Sequence, residues 1–313
     1  MRGCFAVCRV WWSDFPGDCM RIEDSVRHTV AFIGYPDSRP GKGGIDCIGT
    51  AFFLQHEGFP YLITARHVAE YVGSDPFLLR VNRFDGTADN LPIDNATWHF
   101  DPDPSIDVAV LPIPGLLNDH DHHVRFIDDE KESWWAQKAW KYGVGIGDFC
   151  YTVGLFRVLS GGKKNLPVVH FGTIARPIFG PDEELIPIKD WRDHEGKKVV
   201  MARAYLVESQ SLSGLSGAPV FVRVSNHHVS QELIDHNPHL SPDQMGDAVA
   251  MWHIHLIGVW QGAWDAPPDE VLGAERGQSI RVPVGMGVVV PIDHVHYILG
   301  NDALTAMRKN RTP

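Results

Sequence analysis

No apolar segment of this 313-residue chain approaches the ~20 residues that a membrane-spanning helix needs. Basic runs are equally absent, and Lys plus Arg total 28 against 39 Asp plus Glu, for a net charge of −11. That balance excludes a coat for DNA or RNA, which needs clustered cations, and excludes an anionic membrane surface as partner. Cysteine is scarce and its count is odd: Cys4, Cys8, Cys19, Cys47 and Cys150. Three of the five crowd near the start, a pattern unlike a disulfide framework, so a reducing, cytoplasmic compartment is expected. Cys4 and Cys8 lack the second ligand pair of a zinc finger. The opening MRGCFAVCRVWWSDF fails as a signal peptide, because Arg9 interrupts its apolar stretch and no A-x-A-like site follows. Internal repeats and low-complexity tracts are also lacking.

What is present is 44% apolar and 21% charged sequence, ordinary for a globular protein. Short apolar runs separated by Gly, Pro, Asn and Asp give a β signature. Strands are expected at Thr29–Tyr35, Cys47–Gln55, Tyr61–Thr64, Phe77–Val81, Asp107–Pro112, Phe149–Leu155, Val168–Ala175, Val199–Glu208, Ala218–Val224, His253–Gln261 and Gly287–Ile292. HEGFP at 56–60 reads as a hairpin turn. Asp128–Tyr142, acidic first and basic last, reads as the best local helix. The stretch after Pro291 predicts a short C-terminal helix. Roughly a dozen strands without alternating helices fit an all-β barrel or sandwich. The glycines at 143–147 divide the chain into an N-terminal extension (1–28), a first β half (29–142), a second (143–300) with an insertion at 225–247, and a tail (301–313).

Three segments carry candidate chemistry. His67 lies just past an apolar strand in Thr64-Ala65-Arg66-His67. Asp107 opens the buried-looking run Asp107-Val108-Ala109-Val110-Leu111. Ser216 sits between glycines in Gly214-Leu215-Ser216-Gly217-Ala218-Pro219, ahead of another strand. A serine hydroxyl becomes nucleophilic when an imidazole takes its proton, and the imidazole needs a buried carboxylate to fix its tautomer. Glycines beside the serine let backbone N–H groups converge on a developing oxyanion. Asp101 and Asp103 compete with Asp107 for the carboxylate role, and Arg66 reads as a solvated side chain.

The order His67, Asp107, Ser216 in these motifs resembles the trypsin/chymotrypsin-like serine protease family, closer to its bacterial, disulfide-free, intracellular-type members. Supporting segments are Gly49-Thr50-Ala51-Phe52-Phe53, Phe171-Gly172-Thr173-Ile174, Leu256–Gly262 and Gly287–Ile292. The resemblance implies two six-stranded antiparallel β-barrels with a short C-terminal helix. It implies catalysis by His67, Asp107 and Ser216, an oxyanion hole from the Gly214 and Ser216 amides, and substrate contacts at Gln210, Trp260 and Gln261. The substrate is then a protein or peptide, and no cofactor or metal is required.

The departures are informative. Val68 stands where the family's loop disulfide would pair with Cys47, which agrees with a reducing compartment. Leu215 replaces the acid that clasps a freshly cut N-terminus, which argues against activation by N-terminal cleavage. Gln210 occupies the pocket-floor position, so strict cleavage after Lys or Arg is not expected. The 13 residues after Gly300 leave no room for an appended domain, so control falls to loops, the N-terminal segment or a regulatory protein partner. Two other classes stand beside this one. A non-catalytic peptide-binding module would keep the cleft without the chemistry. A metal hydrolase would use pairs such as His253/His255 and His294/His296 among the 17 histidines, but zinc-enzyme spacing is missing and surface or supporting roles fit them better.

Overall fold

The structure, a computed structural model, describes residues 22–41, 43–179, 184–193, 198–210, 212–224, 254–266 and 282–310. The expected insertion at 225–247 and His253 lie outside the described residues.

The long apolar run near the start forms β2 (Ile45–His56), and its period-two alternation serves two cores at once. Ala51 and Phe53 face Ala31, Ile33, Leu62, Leu79 and Val81 inside the N-terminal half. Phe52 and Leu54 face the other way, onto Tyr61, Ile63, Val110, Val153, Phe221 and the C-terminal helix. A strand buried on both faces reads as a continuous apolar run rather than an alternating one. β2 pairs with β1 (Val30–Pro36) and, through a two-residue turn at Glu57 and Gly58, with β3 (Phe59–Thr64). Both turn residues have positive φ, 49° and 70°, the geometry of a type I′ hairpin.

The N-terminal half also contains β4 (Phe77–Asn82), β5 (Ala88–Ile93), β6 (His99–Phe100), β7 (Ala109–Pro112) and β8 (Ile127–Asp128). They form an eight-stranded sheet of order β5-β4-β1-β2-β3-β7-β6, with β8 beside β2. This corrects the expectation of a closed six-stranded first barrel. The sheet path ends at β5, whose Pro92 removes a ladder donor, and at β6, only two residues long.

The second half closes. Strands β9 (Phe149–Gly154), β10 (Val168–Arg176), β13 (Tyr205–Glu208), β14 (Pro219–Arg223), β15 (Ile254–Ala266) and β16 (Val282–Pro291) make a six-stranded barrel, order β10-β13-β16-β15-β14-β9. Its interior holds Ile174, Tyr205, Val207, Leu215, Val220, Val222, Ile257, Trp260 and Val289. Between β10 and β13, a separate hairpin of β11 (Ile186–Lys189) and β12 (Val199–Ala202) packs Ile186, Ile188 and Ala202 against Val288.

Short helices complete the fold: α1 (Arg66–Val72), α2 (Asp129–Glu132), α3 (Ala136–Lys141), α4 (Ile292–Leu299) and α5 (Asp302–Lys309). The helix expected over Asp128–Tyr142 is therefore two. Trp134 is fully buried and its backbone N–H donates to the Leu256 carbonyl at 2.8 Å, which takes the chain out of helix between them. Tertiary burial of one indole overrides local propensity.

α4 packs Ile292, Val295, Ile298 and Leu299 into the core shared by both halves. It is also tied down by charge. Buried Asp129 accepts His56 Nδ1 and His296 Nε2, each at 2.7 Å, so hairpin β2–β3, α2 and α4 meet at one carboxylate. Burial alone would raise the Asp129 pKa, but the hydrogen bonds from His296 and His56 outweigh it and hold it far below the carboxylate range. The Asp129 hydrogen bond raises His56 despite its partial burial. The depressed acid stabilises the fold above its unfolded pKa and loses this as pH falls through the native value. The raised base stabilises below its unfolded pKa and loses this as pH rises through the native value. Asp129→Asn is therefore expected to cost of order 2 kcal/mol between the ordinary Asp and His values. Thermal unfolding of both proteins across pH checks this: the gap should narrow toward alkaline pH, and a pH-independent gap would refute it.

Candidate active site

Thr64 ends β3, Ala65 is extended, and α1 begins at Arg66, so His67 lies in a helical first turn whose N–H groups lack intrahelical acceptors. Asp107, fully buried just before β7, supplies one. Its Oδ1 accepts the His67 backbone N–H at 2.8 Å and its Oδ2 meets His67 Nδ1 at 2.7 Å. A carboxylate is acceptor-only, so Nδ1 carries the hydrogen and Nε2 keeps the lone pair. Burial pulls the His67 pKa down, but the charge and hydrogen bond of Asp107, with the more distant Glu70, outweigh it and leave it raised. Asp101 does not compete: it is buried against His294 Nδ1 at 2.9 Å.

The serine loop belongs to the second half of the chain. Gly214 and Gly217 take positive φ of 106° and 84°, in the region that favours glycine, while Leu215 between them plugs the second barrel. Thr50, at the middle of β2, fixes this loop with its backbone and its side chain. Its N–H donates to the Ser216 carbonyl at 3.0 Å, and its hydroxyl donates to the Gly214 carbonyl at 2.8 Å. The same hydroxyl accepts the Leu155 N–H at 2.8 Å, and the Thr50 carbonyl accepts the Thr64 hydroxyl at 2.7 Å. Packing is close enough that a Cβ on Gly217 would lie 2.2 Å from Thr64 Oγ1 and 2.8 Å from the Ala65 nitrogen. The Ser216 loop thus abuts the segment that leads into His67.

The Arg157 N–H donates to the Ser213 carbonyl at 3.0 Å. In a trans peptide the carbonyl and the next N–H point oppositely, so the Gly214 amide is turned away from Arg157. The Ser216 hydroxyl donates to the Gln261 carbonyl at 3.3 Å, and no hydrogen bond joins it to His67 among the described residues.

The remaining expected residues divide. Gln261 is buried beside Ser216, whereas Gln210 is exposed. Trp260 approaches the serine loop by backbone only: its carbonyl accepts the Gly217 N–H at 2.9 Å, while its ring fills the barrel against Gly287. A direct contact of its ring with substrate is therefore not what this geometry provides. Cys47 and Val68 are both buried, and Cys47 is in no disulfide among the described residues. The His294/His296 pair serves two different carboxylates, Asp101 and Asp129, because residues two apart on a helix face about 200° from each other. His255 stacks on Trp134 with ring centroids 3.8 Å apart. Among the described residues no group of three or more potential ligands is arranged to hold a metal ion.

Arg66 corrects another expectation: its side chain is only partly solvated. Its guanidinium lies 4.6 Å over Phe100 and 5.8 Å from Trp191, and its Nε donates to Glu70 at 2.7 Å. Neither this nor the Thr50 hydroxyl bonds were readable beforehand, since Gly214 is 164 residues from Thr50 and Trp191 lies on a hairpin without a strong strand pattern. Thr50→Val removes the hydroxyl at constant shape and leaves the Gly214 carbonyl and Leu155 N–H unsatisfied. Urea unfolding should register a loss of about 2 kcal/mol for Val and under about 1 kcal/mol for Ser. Equal losses would dismiss the hydroxyl's role.

No family model matches the chain, and no curated protein matches it by sequence. Solved structures similar to it are proteases. The active form of the Rv3671c protease from M. tuberculosis aligns with a TM-score of 0.45 and 17% identity, over 88% of this chain and 82% of that one. The inactive form of the Rv3671c protease gives 0.42 and 16%, over 87% and 88%. The HtrA-type protease AlgW, solved with a decapeptide, gives 0.42 and 16%, over 91% of this chain and 65% of AlgW.

Proposed function

We propose that this chain is a trypsin-like serine endopeptidase that cleaves protein or peptide substrates through an acyl-enzyme. The observation that carries the reading is the two-point hold of buried Asp107 on His67, beside a glycine-flanked serine bonded to the adjoining strand. His67 Nε2 removes the Ser216 proton as Oγ attacks the scissile carbonyl, and Asp107 stabilises the imidazolium that results. The Gly214 and Ser216 amides receive the oxyanion. His67 then protonates the leaving amine, and water, deprotonated by the same imidazole, hydrolyses the ester. When substrate docks, Ser216 Oγ exchanges its bond to Gln261 for one to His67, a tightening common between free and occupied sites. Substrate backbone adds along residues 260–262 as an extra strand. The halves 29–142 and 143–300 flank the cleft, and the cysteine pattern supports a cytoplasmic setting.

The Ser216 hydroxyl, turned to the Gln261 carbonyl, favours one other reading: a protease-like module that binds peptides without cutting them. A fluorophosphonate probe separates the two. Wild type should be labelled, Ser216→Ala should not, and His67→Ala should be strongly suppressed; a folded wild type that resists the probe supports the binding module. The pH profile of kcat/KM is expected to rise through an apparent pKa above the ordinary imidazole value, since only neutral His67 accepts the proton. Asp107→Asn should shift that limb to lower pH and reduce kcat by about 10⁴-fold. An unmoved acid limb would remove Asp107 from its role.

A further inference from the structure

The hairpin β11–β12 reaches from the second half of the chain to the catalytic imidazole. Its inner face is anchored by Ile186, Ile188 and Ala202. The two strand ends are joined by a hydrogen bond. The Asp190 N–H donates to the Lys198 carbonyl at 3.0 Å, and the buried Asp190 carboxylate holds Arg192 through Nε at 2.7 Å and an Nη at 2.8 Å. The residue between these two is Trp191. Its ring centroid lies 6.4 Å from that of His67, tilted by 39°. Arg66, next to His67 in sequence, spans the gap between the first-half Phe100 and the second-half Trp191. The Trp191 indole nitrogen is buried and has no hydrogen-bond partner among the described residues.

Each observation bears on the site. A rigid indole one ring's reach from the imidazole limits the space for any side chain that approaches the scissile bond on that flank. The buried edge of the indole holds the ring in place. We infer that Trp191 is a specificity-determining residue: its ring walls one substrate subsite beside His67 and restricts it to small side chains. Arg66 is a positioning residue that holds the indole by stacking. This rests on the peptidase reading of His67, Asp107 and Ser216.

Cleavage of a proteome-derived peptide library, read by mass spectrometry, tests it with two variants. Trp191→Ala should raise relative cleavage of peptides with bulky residues about tenfold or more at a single position near the scissile bond, leaving other positions unchanged. Trp191→Phe keeps an aromatic wall, so it should retain the wild-type preference far better than Trp191→Ala. Fluorophosphonate labelling of Ser216, by a probe too small to span the wall, should stay within about threefold of wild type in both variants. Unchanged preferences in Trp191→Ala with labelling intact would overturn the subsite and leave the peptidase reading standing. A wild type that neither labels nor cleaves would overturn both.

Discussion

Thr50 is the residue through which the two halves of this molecule constrain each other. It belongs to β2, yet three of its hydrogen bonds go to the second half: the Ser216 and Gly214 carbonyls and the Leu155 N–H. Another, from the Thr64 hydroxyl, reaches the end of the strand that leads into His67. The serine loop and the histidine turn are therefore referenced to the same residue. Relative placement of a nucleophile and its base is what lowers the barrier, and misplacement by about 1 Å can cost 10²-fold. A buried, satisfied node is a suitable anchor, because losing any one partner leaves a polar group stranded.

Around that node, charge is used as mortar and not only as chemistry. Two histidines of α4 bind two buried carboxylates on different elements, and a third, His56, shares Asp129. Among the described residues, several histidines are engaged by carboxylates or stacked rings. The same residue types at His67 differ in one respect. His67 has the Asp107 carboxylate on Nδ1 to itself, whereas the His56 and His296 nitrogens at Asp129 share one acid between two rings.

Much of the fold was legible because strands buried on both faces spell themselves as apolar runs: β2, β3, β7, β9, β14 and β15 all lie where the runs are. His67, Asp107 and Ser216 could be singled out because the chemistry proposed for them uses particular residue types next to strand ends and glycines. The rest depended on long-range contacts that leave no local trace. β5 is half-exposed and polar, and β6 and β8 are two residues each, too short for a period. Val199–Glu208, one run by composition, divides at Arg203 and Ala204 into a hairpin strand and a barrel strand. The helix over 128–142 yielded to burial of Trp134. Arg66 looked like a surface cation because Phe100 and Trp191 come from elsewhere in the chain.

The central claim is that Ser216, paired with His67 and Asp107, forms a covalent intermediate in a cleft between the halves. Rapid-quench mass spectrometry during turnover of a p-nitrophenyl ester tests it most directly, since acylation of such esters outruns deacylation in enzymes of this chemistry. The account predicts a burst of nitrophenol with one acyl group on the peptide containing Ser216, abolished in Ser216→Ala. An adduct on another residue, or ester hydrolysis with no adduct that survives in Ser216→Ala, would contradict it.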